Sequence, residues 1–446
     1  MGEYEQMPGD GHDNYEQLPA GRPGGIGTPP AGGQRRFVST GQKKSGAGLF
    51  FLGLAAGVIA AVIAAGIYMG LSGGGIGALT GGGTGSSSGG SVINEASKEK
   101  LDTLQDTIED AYYWSDDVTK EQLENGMYKG LVDSLGDPYS VYYTPEELKD
   151  LTQQTQGVYY GIGAYVSSDP EAGYAVISGV IKNSPAEAAK LQEGDIIYKV
   201  DDEDMSGLDL ETVVSKIRGE EGTSVHLTLV RGSDTIEKDI VRARVDSPTV
   251  DSKMLEDGIG YLQITEFDDI TVGQFDENLQ SLKDQGMKAM ILDLRGNPGG
   301  NVSTVTEIAE RLLPKGMIFY MEEKNGKRTE YTCQGADWDL PLVVLVNQYS
   351  ASASEILAGA IQDAGIGKLV GKTTFGKGIV QTILSLGDGS AVKLTIANYY
   401  TRNGRDIHKK GIEPDVDVDL DSDAYIEDGT DTQLNKGLEV IKELMK

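Results

Sequence analysis

No charged side chain occurs between Lys44 and Glu95, and within that interval Gly46 to Leu71 is a run rich in Ala, Leu, Ile, Val and Phe. A helix crossing a bilayer needs ~20 apolar residues, so the run is long enough to span one. It divides the chain into parts that fold in different surroundings. Arg35, Arg36, Lys43 and Lys44 precede it. Basic residues stay on the cytoplasmic side, which places the N-terminus inside and the long C-terminal part outside. The rival reading is a cleaved signal peptide, because Ala64-Ala65-Gly66 suits a signal peptidase. A cleaved signal occupies roughly the first 15–30 residues with an apolar core of about 7–15, and a long polar tail with a longer run is found instead. An uncleaved single-pass anchor over residues 46–71 is expected. Residues 1–45, rich in Gly, Pro, Gln and charge, read as a disordered cytoplasmic tail, and residues 72–91, mostly Gly, Ser and Thr, as a flexible tether.

The rest of the chain has the composition of folded domains. Of 446 residues 39% are hydrophobic, which supports real cores. The balance of 39 basic against 69 acidic side chains gives a net charge of −30, which repels polyphosphate, so no nucleic-acid partner is expected. The lone Cys333 excludes an intrachain disulfide and a cysteine zinc cluster. Three histidines, His12, His226 and His408, are few for a histidine metal site, and no metal is expected.

Three kinds of pattern follow one another. Residues 92–156 carry helical spacing over Ala96–Trp114 and Thr119–Leu135, then Thr144-Pro145-Glu146-Glu147, with Thr as cap and Pro at the first helical position. Residues 157–246 read as short strands, Val158–Val166 and Tyr174–Ile181 among them, with helical patches at Pro185–Lys190 and Leu210–Ile217. Residues 247–446 alternate apolar strands (Ile259–Thr265, Ala289–Leu294, Leu342–Val346, Ala391–Asn398) with helices (Val272–Gln285, Thr304–Leu313, Ser352–Asp363, Thr432–Met445), as an α/β domain on a mixed sheet does. The fold class expected is therefore multidomain: a transmembrane helix, a helical region, a β-rich module with two helices, and a mixed-sheet α/β core.

Histidine chemistry has little to work with. His226 lies in a strand of the β module, and His408 is the one candidate base. Three stretches carry more. Ser350-Ala351-Ser352-Ala353-Ser354-Glu355 lies between an apolar strand and a helix. On spacing, Ser352 with Glu355 reads first as a capping box, which is compatible with a nucleophile at a helix N-terminus, whose amides suit a developing oxyanion. Thr373-Thr374-Phe375-Gly376-Lys377-Gly378 sets a lysine between glycines. It fails the phosphate-loop spacing, and Lys377 is either a surface lysine or, if burial lowers its pKa, a general base. Asp293-Leu294-Arg295-Gly296-Asn297-Pro298-Gly299-Gly300 closes another strand, as a tight turn or as a cluster of amides aimed at one spot.

In this order, and with Val380-Gln381 after the lysine, these stretches resemble the C-terminal processing (tail-specific) serine–lysine peptidases. Gly136-Asp137-Pro138-Tyr139-Ser140 resembles that family's N-terminal helical region, Tyr261-Leu262-Gln263-Ile264 its first protease strand and Gly411-Ile412-Glu413-Pro414-Asp415 its closing motif. The similarity runs from about Val92 to Lys446. It implies Ser352 as nucleophile, Lys377 as base, Gln381 orienting Lys377, and amides of Ala353 and of Gly299 or Gly300 holding the oxyanion, with no metal or organic cofactor. It implies that the β module is a PDZ domain. Tyr160-Gly161-Ile162-Gly163 is similar to its carboxylate-binding loop, and Arg218 is taken to help read substrate or couple the two domains. Protein substrates held by their C-terminal tails follow as partners, and the resemblance admits a homodimer. With the anchor, it places the active site outside the plasma membrane of a bacterial cell. The competing reading is a catalytically dead, membrane-tethered PDZ scaffold; a Ser352–His408 hydrolase is the other enzyme reading.

Overall fold

The structure, a computed structural model, describes residues 91–169 and 173–446. The expected tail, anchor and tether up to residue 90 lie outside the described residues. No helix among the described residues is long and apolar enough to cross a membrane.

The helical region begins with α1 (Glu95–Ala111) and α2 (Lys120–Asp133). Each opens on a capping box, Asn94 with Ser97 and Thr119 with Gln122, which satisfies two end amides reciprocally. Neither helix buries a residue. A short strand β1 (Val141–Tyr143) and helix α3 (Pro145–Gln156) follow, the latter capped by Thr144 and stopped by Gly157 at φ +70°.

The β module starts with β2 (Val158–Gly161), which pairs antiparallel with its last strand β9 (Ala243–Asp246), so the chain enters and leaves side by side. Between them lie β3 (Ala164–Asp169), β4 (Tyr174–Val180), α4 (Pro185–Ala188), β5 (Ile196–Val200), β6 (Glu203–Asp204), α5 (Leu210–Ile217), β7 (Ser224–Arg231) and β8 (Asp234–Val241). The sheet runs β3-β4-β5-β7-β8, with β6 on β5. Ile177, Ile197, Met205, Val213, Leu227 and Leu229 form its own buried core. The strand expected over Val158–Val166 is broken at Ile162-Gly163. Gly163 sits at φ +81°, where an added Cβ would overlap Ser184, and its carbonyl accepts from Ile181 N–H and Ser184 Oγ–H. Those bonds turn the chain through a corner that no continuous strand can follow.

The C-terminal part contains β10 (Val250–Met254), β11 (Ile259–Ile264), α6 (Thr271–Asp284), β12 (Ala289–Asp293), α7 (Val302–Glu310), β13 (Gly316–Glu323), β14 (Arg328–Cys333), β15 (Leu342–Val346), α8 (Ala353–Ala364), β16 (Lys368–Gly371), β17 (Ile379–Ser385), β18 (Ala391–Thr401), β19 (Val416–Asp417), α9 (Ser422–Asp428) and α10 (Thr432–Leu444). One sheet runs β10-β11-β12-β15-β16-β19, antiparallel only at β10 and parallel beyond. Its central strands are apolar on both faces because both are covered. Leu262, Leu292 and Val344 enter the core with α6, α7 and α8, while Tyr261, Ile291 and Val343 enter the core with α10. A second, antiparallel sheet holds β13, β14, β17 and β18, and β1 of the helical region joins it by pairing Val141–Tyr143 with Lys393–Ala391. The mixed-sheet α/β core and the separate β-rich module stand as expected.

Candidate active site

Strand β15 ends at Val346, and its loop leads to Ser352, directly before α8. Ser350 Oγ–H donates to Leu294 O at 2.8 Å, and Ser354 Oγ–H to Asn297 O at 3.0 Å, which ties this loop to the Asp293–Gly300 turn. Ser352 itself sits at φ +53°, ψ −113°, a conformation that side chains avoid and that persists only where surroundings over-determine it. The Tyr399 hydroxyl donates to its carbonyl at 3.0 Å.

Glu355 is the main fixture. Fully buried, its carboxylate accepts four hydrogen bonds: from Ser352 N–H at 2.9 Å, Thr374 Oγ–H at 2.6 Å, Gly376 N–H at 2.7 Å and Lys377 N–H at 2.8 Å. One oxygen, Oε2, takes both the Ser352 and the Lys377 amides. Burial pushes this carboxyl's pKa up, and the four donors oppose it. Sequence reasoning treated Glu355 as a helix cap. The cap is present, and the same carboxylate also fastens the lysine loop to the serine.

Lys377 is only 4% exposed. Burial, then the charge of Lys393, push its pKa down to about 8, against the pull of Glu355 and Asp137. Its Nζ lies 4.5 Å from the centre of the Tyr139 ring. Gln381 is buried at an irregular pairing of β17 with β18, and its amide donates to Thr395 Oγ1 at 3.1 Å. Asp137, Tyr139, Lys393 and Thr395 were not read as site residues. The Gly136–Ser140 motif was visible, but nothing local says that β1 carries it into another domain's sheet.

The Gly299-Gly300 turn lies against the serine. A Cβ on Gly299, at φ +112°, would come within 2.8 Å of Ala351 O and of Ser352 Cβ and 2.9 Å of Ala353 N. Gly299 N–H is committed to Asn297 Oδ1 at 2.8 Å, and Gly300 is bridged to Phe267. Ala353 is buried at the first position of α8. Behind the turn, Arg295 bonds both oxygens of Asp293 and of Asp431, the N-cap of α10.

In the β module a cleft of about 290 Å³ runs between β3 and α5, lined by Gly161, Ile162, Gly163, Val214, Ile217 and Arg218 among others. Tyr159 lines it and Tyr160 does not; Tyr160 pairs with Arg244 in the β2–β9 ladder. Ile162 C=O accepts from Ala186 N–H. Because the amide of a peptide unit points opposite its carbonyl, Gly163 N–H faces away from α4. Arg218 lies over the Tyr159 ring at 5.7 Å.

His226 is bound to Asp239 at 2.8 Å on the surface of the module. His408 lays its backbone against Gly378, and its Nδ1 is buried without a hydrogen-bond partner among the described residues. Cys333 is buried, its thiol directed at Pro314 O.

Comparison with known proteins gives three family matches: Peptidase family S41 over residues 258–418, PDZ domain over residues 176–231, and Activating protease CtpB N-terminal domain over residues 64–147. The carboxy-terminal processing protease CtpA of Bacillus subtilis is 39% identical over 325 residues, covering 72% of this chain and 69% of that one. CtpB of the same organism is 37% identical over 339 residues, covering 73% and 69%. Among solved structures, a photosystem II D1 C-terminal processing protease is 30% identical, covers 71% of this chain and 86% of that one, and has a TM-score of 0.43.

Proposed function

Because this chain belongs to peptidase family S41, the carboxy-terminal processing proteases, and is a serine-type endopeptidase with a PDZ domain, we propose that Ser352 and Lys377 are its catalytic dyad. Lys377 Nζ, unprotonated, takes the proton of Ser352 Oγ as that oxygen bonds to the scissile carbonyl carbon. The resulting oxyanion is held by the amides of Ala353 and Gly300; Gly299 N–H is already used by Asn297. Collapse breaks the C–N bond, and the Lys377 ammonium gives its proton to the leaving amine. Water then attacks the acyl-serine with Lys377 again as base, which restores the Ser352 hydroxyl and releases a new carboxylate. Gln381 orients Lys377 through its side-chain carbonyl, its NH₂ being fixed by Thr395.

The observation that carries this reading is the single Glu355 oxygen shared by the Ser352 and Lys377 amides, with the Gly299-Gly300 turn packed on Ser352. The test is cleavage of an unstructured protein by the full-length chain, followed by mass spectrometry. Both S352A and K377A are expected to lose at least ~10³-fold in kcat/KM. Cleavage that survives K377A would remove Lys377 as base and bring His408 back.

Around this site we assign substrate tails to the cleft between β3 and α5, where Gly163 N–H and its neighbours receive a terminal carboxylate beside an added strand. The uncharged run from Gly46 to Leu71 is assigned as a single-pass anchor of a bacterial plasma membrane, with the peptidase outside. A homodimer is supported by α1 and α2, which bury nothing and expose Leu101, Leu104, Met127 and Leu131, with Trp114 exposed between them.

A further inference from the structure

Lys393 is a buried lysine that the mechanism above does not use. It is 4% exposed, on a strand where the simple rule for side-chain placement is reversed. Along Ala391-Val392-Lys393-Leu394-Thr395-Ile396 the aliphatic alternation asks for Val, Leu and Ile inside. Yet Val392 and Leu394 are only partly buried and Ile396 is 38% exposed, while Lys393 is covered. A strand that turns a lysine inward and an isoleucine outward gives up apolar burial, and departures of this kind concentrate at functional sites.

The inward face points at the dyad. Lys393 and Thr395 share one face of β18, two residues apart. Gln381 pairs directly opposite Thr395 and bonds its hydroxyl. On the other edge Val141 of β1 pairs opposite Lys393, whose Nζ lies 5.4 Å from the centre of the Tyr143 ring. Tyr139, in the segment leading to the same strand, covers Lys377 Nζ at 4.5 Å. Asp137 stands by both lysines. Its carboxylate accepts from Tyr139 N–H at 3.1 Å and Ser140 Oγ–H at 2.6 Å, and Ser140 Oγ accepts from Thr395 N–H at 3.2 Å. Two tyrosine faces, one carboxylate and two buried amines therefore make one cluster around Lys377.

We propose that Lys393 is a positioning residue of the peptidase site, a second cation whose charge keeps Lys377 in the free-amine form that accepts the Ser352 proton. This rests on the assignment of Lys377 as base. The groups facing Lys377 are Glu355 from α8, Asp137 and Tyr139 from the segment before β1, and Lys393 from β18; Lys393 is faced by Asp137 and Tyr143. Burial and Lys393 lower Lys377's affinity for a proton, and Asp137 and Glu355 raise it. Burial also pushes Lys393 itself down to about 8 against the pull of Asp137. Lys393 therefore acts as a cation below about pH 8, the range in which neutral-pH activity is read. Burial of Asp137 pushes its carboxyl up, but bonds from Ser140, Thr395 and Tyr139, with the Lys377 charge, hold it below its usual range, so it is ionised at neutral pH. The two neighbours thus act on Lys377 with opposite signs, and removing them gives opposite results.

The experiment is the pH dependence of kcat/KM for peptide cleavage by the full-length chain, from about pH 6 to about pH 10.5, for wild type, K393M, D137N and K377A. In K393M the rising limb is expected to move up by ~1 pH unit, read at neutral pH as a ~10-fold loss that is recovered in base. In D137N it is expected to move down. A structural role for Lys393 would lower the plateau and leave the limb in place, and that result overturns the proposal. Should K393M not fold, K393Q decides: a limb shifted to higher pH supports the role of Lys393, and an unmoved one rejects it. K377A separates the two levels. An active K377A removes the dyad itself, whereas an inactive K377A with an unmoved K393M limb removes only the role of Lys393.

Discussion

An amine buried at Lys377 is favoured by the fold only while it is neutral, and its pKa, pushed down from 10.5 to about 8, measures that preference. Between about pH 8 and 10.5 the unfolded chain holds a proton there that the folded chain has released, so stability rises with pH across this window. Below about pH 8 the lysine is protonated in both states and the full burden remains. On the proposed role of Lys377 as base, the site trades stability for a usable amine, as strained catalytic groups commonly do. K377M is expected to be more stable than wild type at pH 7, by up to roughly 3 kcal/mol. The advantage should fade as the pH approaches 10.5. Urea unfolding of both proteins at the two pH values checks this, and a difference independent of pH would mean that the buried amine is not its source. Ser352, Lys377 and Gln381 stand out in the sequence as candidates because each lies in a short stretch whose order and spacing follow a family pattern. Glu355 was legible only as half a capping box. Its second task depends on Thr374, Gly376 and Lys377, some twenty residues on, which no local rule brings to it.

At the scale of elements, the strand most altered by its neighbours is β18. It pairs with β17 along one edge and with β13 and β1 along the other, so it joins the helical region to the peptidase core. The parallel strands β11, β12 and β15 were readable as apolar runs, since a strand buried on both faces needs no partner to announce itself. The hairpin β13–β14 and strands β16 and β17 carry mixed sequence, and they exist because of the edges they complete. The inverted face of β18 was equally hidden, because alternation fixes which residues share a face and not which face is inside. Ser140 gives a direct measure of the junction, as its hydroxyl bridges Asp137 and Thr395 N–H. S140A removes a donor to a partly buried carboxylate and an acceptor for a strand amide. It is expected to cost about 1–3 kcal/mol and to lower kcat ~10-fold, with KM little changed, because the loss falls on the groups around Lys377 rather than on a substrate contact. Steady-state kinetics resolve the two parameters, and a change confined to KM would move Ser140 to the substrate side.

Across the whole molecule, the β module and the peptidase core each bury their own apolar cluster, and the paired strands β2 and β9 join them. The proposed capture of a tail and the cleavage of a bond therefore fall on separate surfaces, and each has its own chemical signature. The cleft between β3 and α5 offers backbone amides at the Ile162-Gly163 corner and the guanidinium of Arg218 at its rim. Such a set recognises a negative charge at the end of an extended chain, and amidation deletes that charge while leaving every side chain of a peptide unchanged. On the S352A background, where no peptide is consumed, a fluorescent peptide with a free C-terminus is expected to bind at least ~10-fold more tightly than its amidated twin, a loss of about 1.4 kcal/mol or more. G163A should weaken the free-acid peptide to a similar degree, because a Cβ at φ +81° would overlap Ser184 and displace the amides. Equal binding of acid and amide would show that the cleft reads side chains alone, and the tail would then have to be recognised elsewhere. Binding of the acid that survives G163A would instead keep the tail in the cleft but take the carboxylate away from the Ile162-Gly163 corner, leaving Arg218 as its receptor.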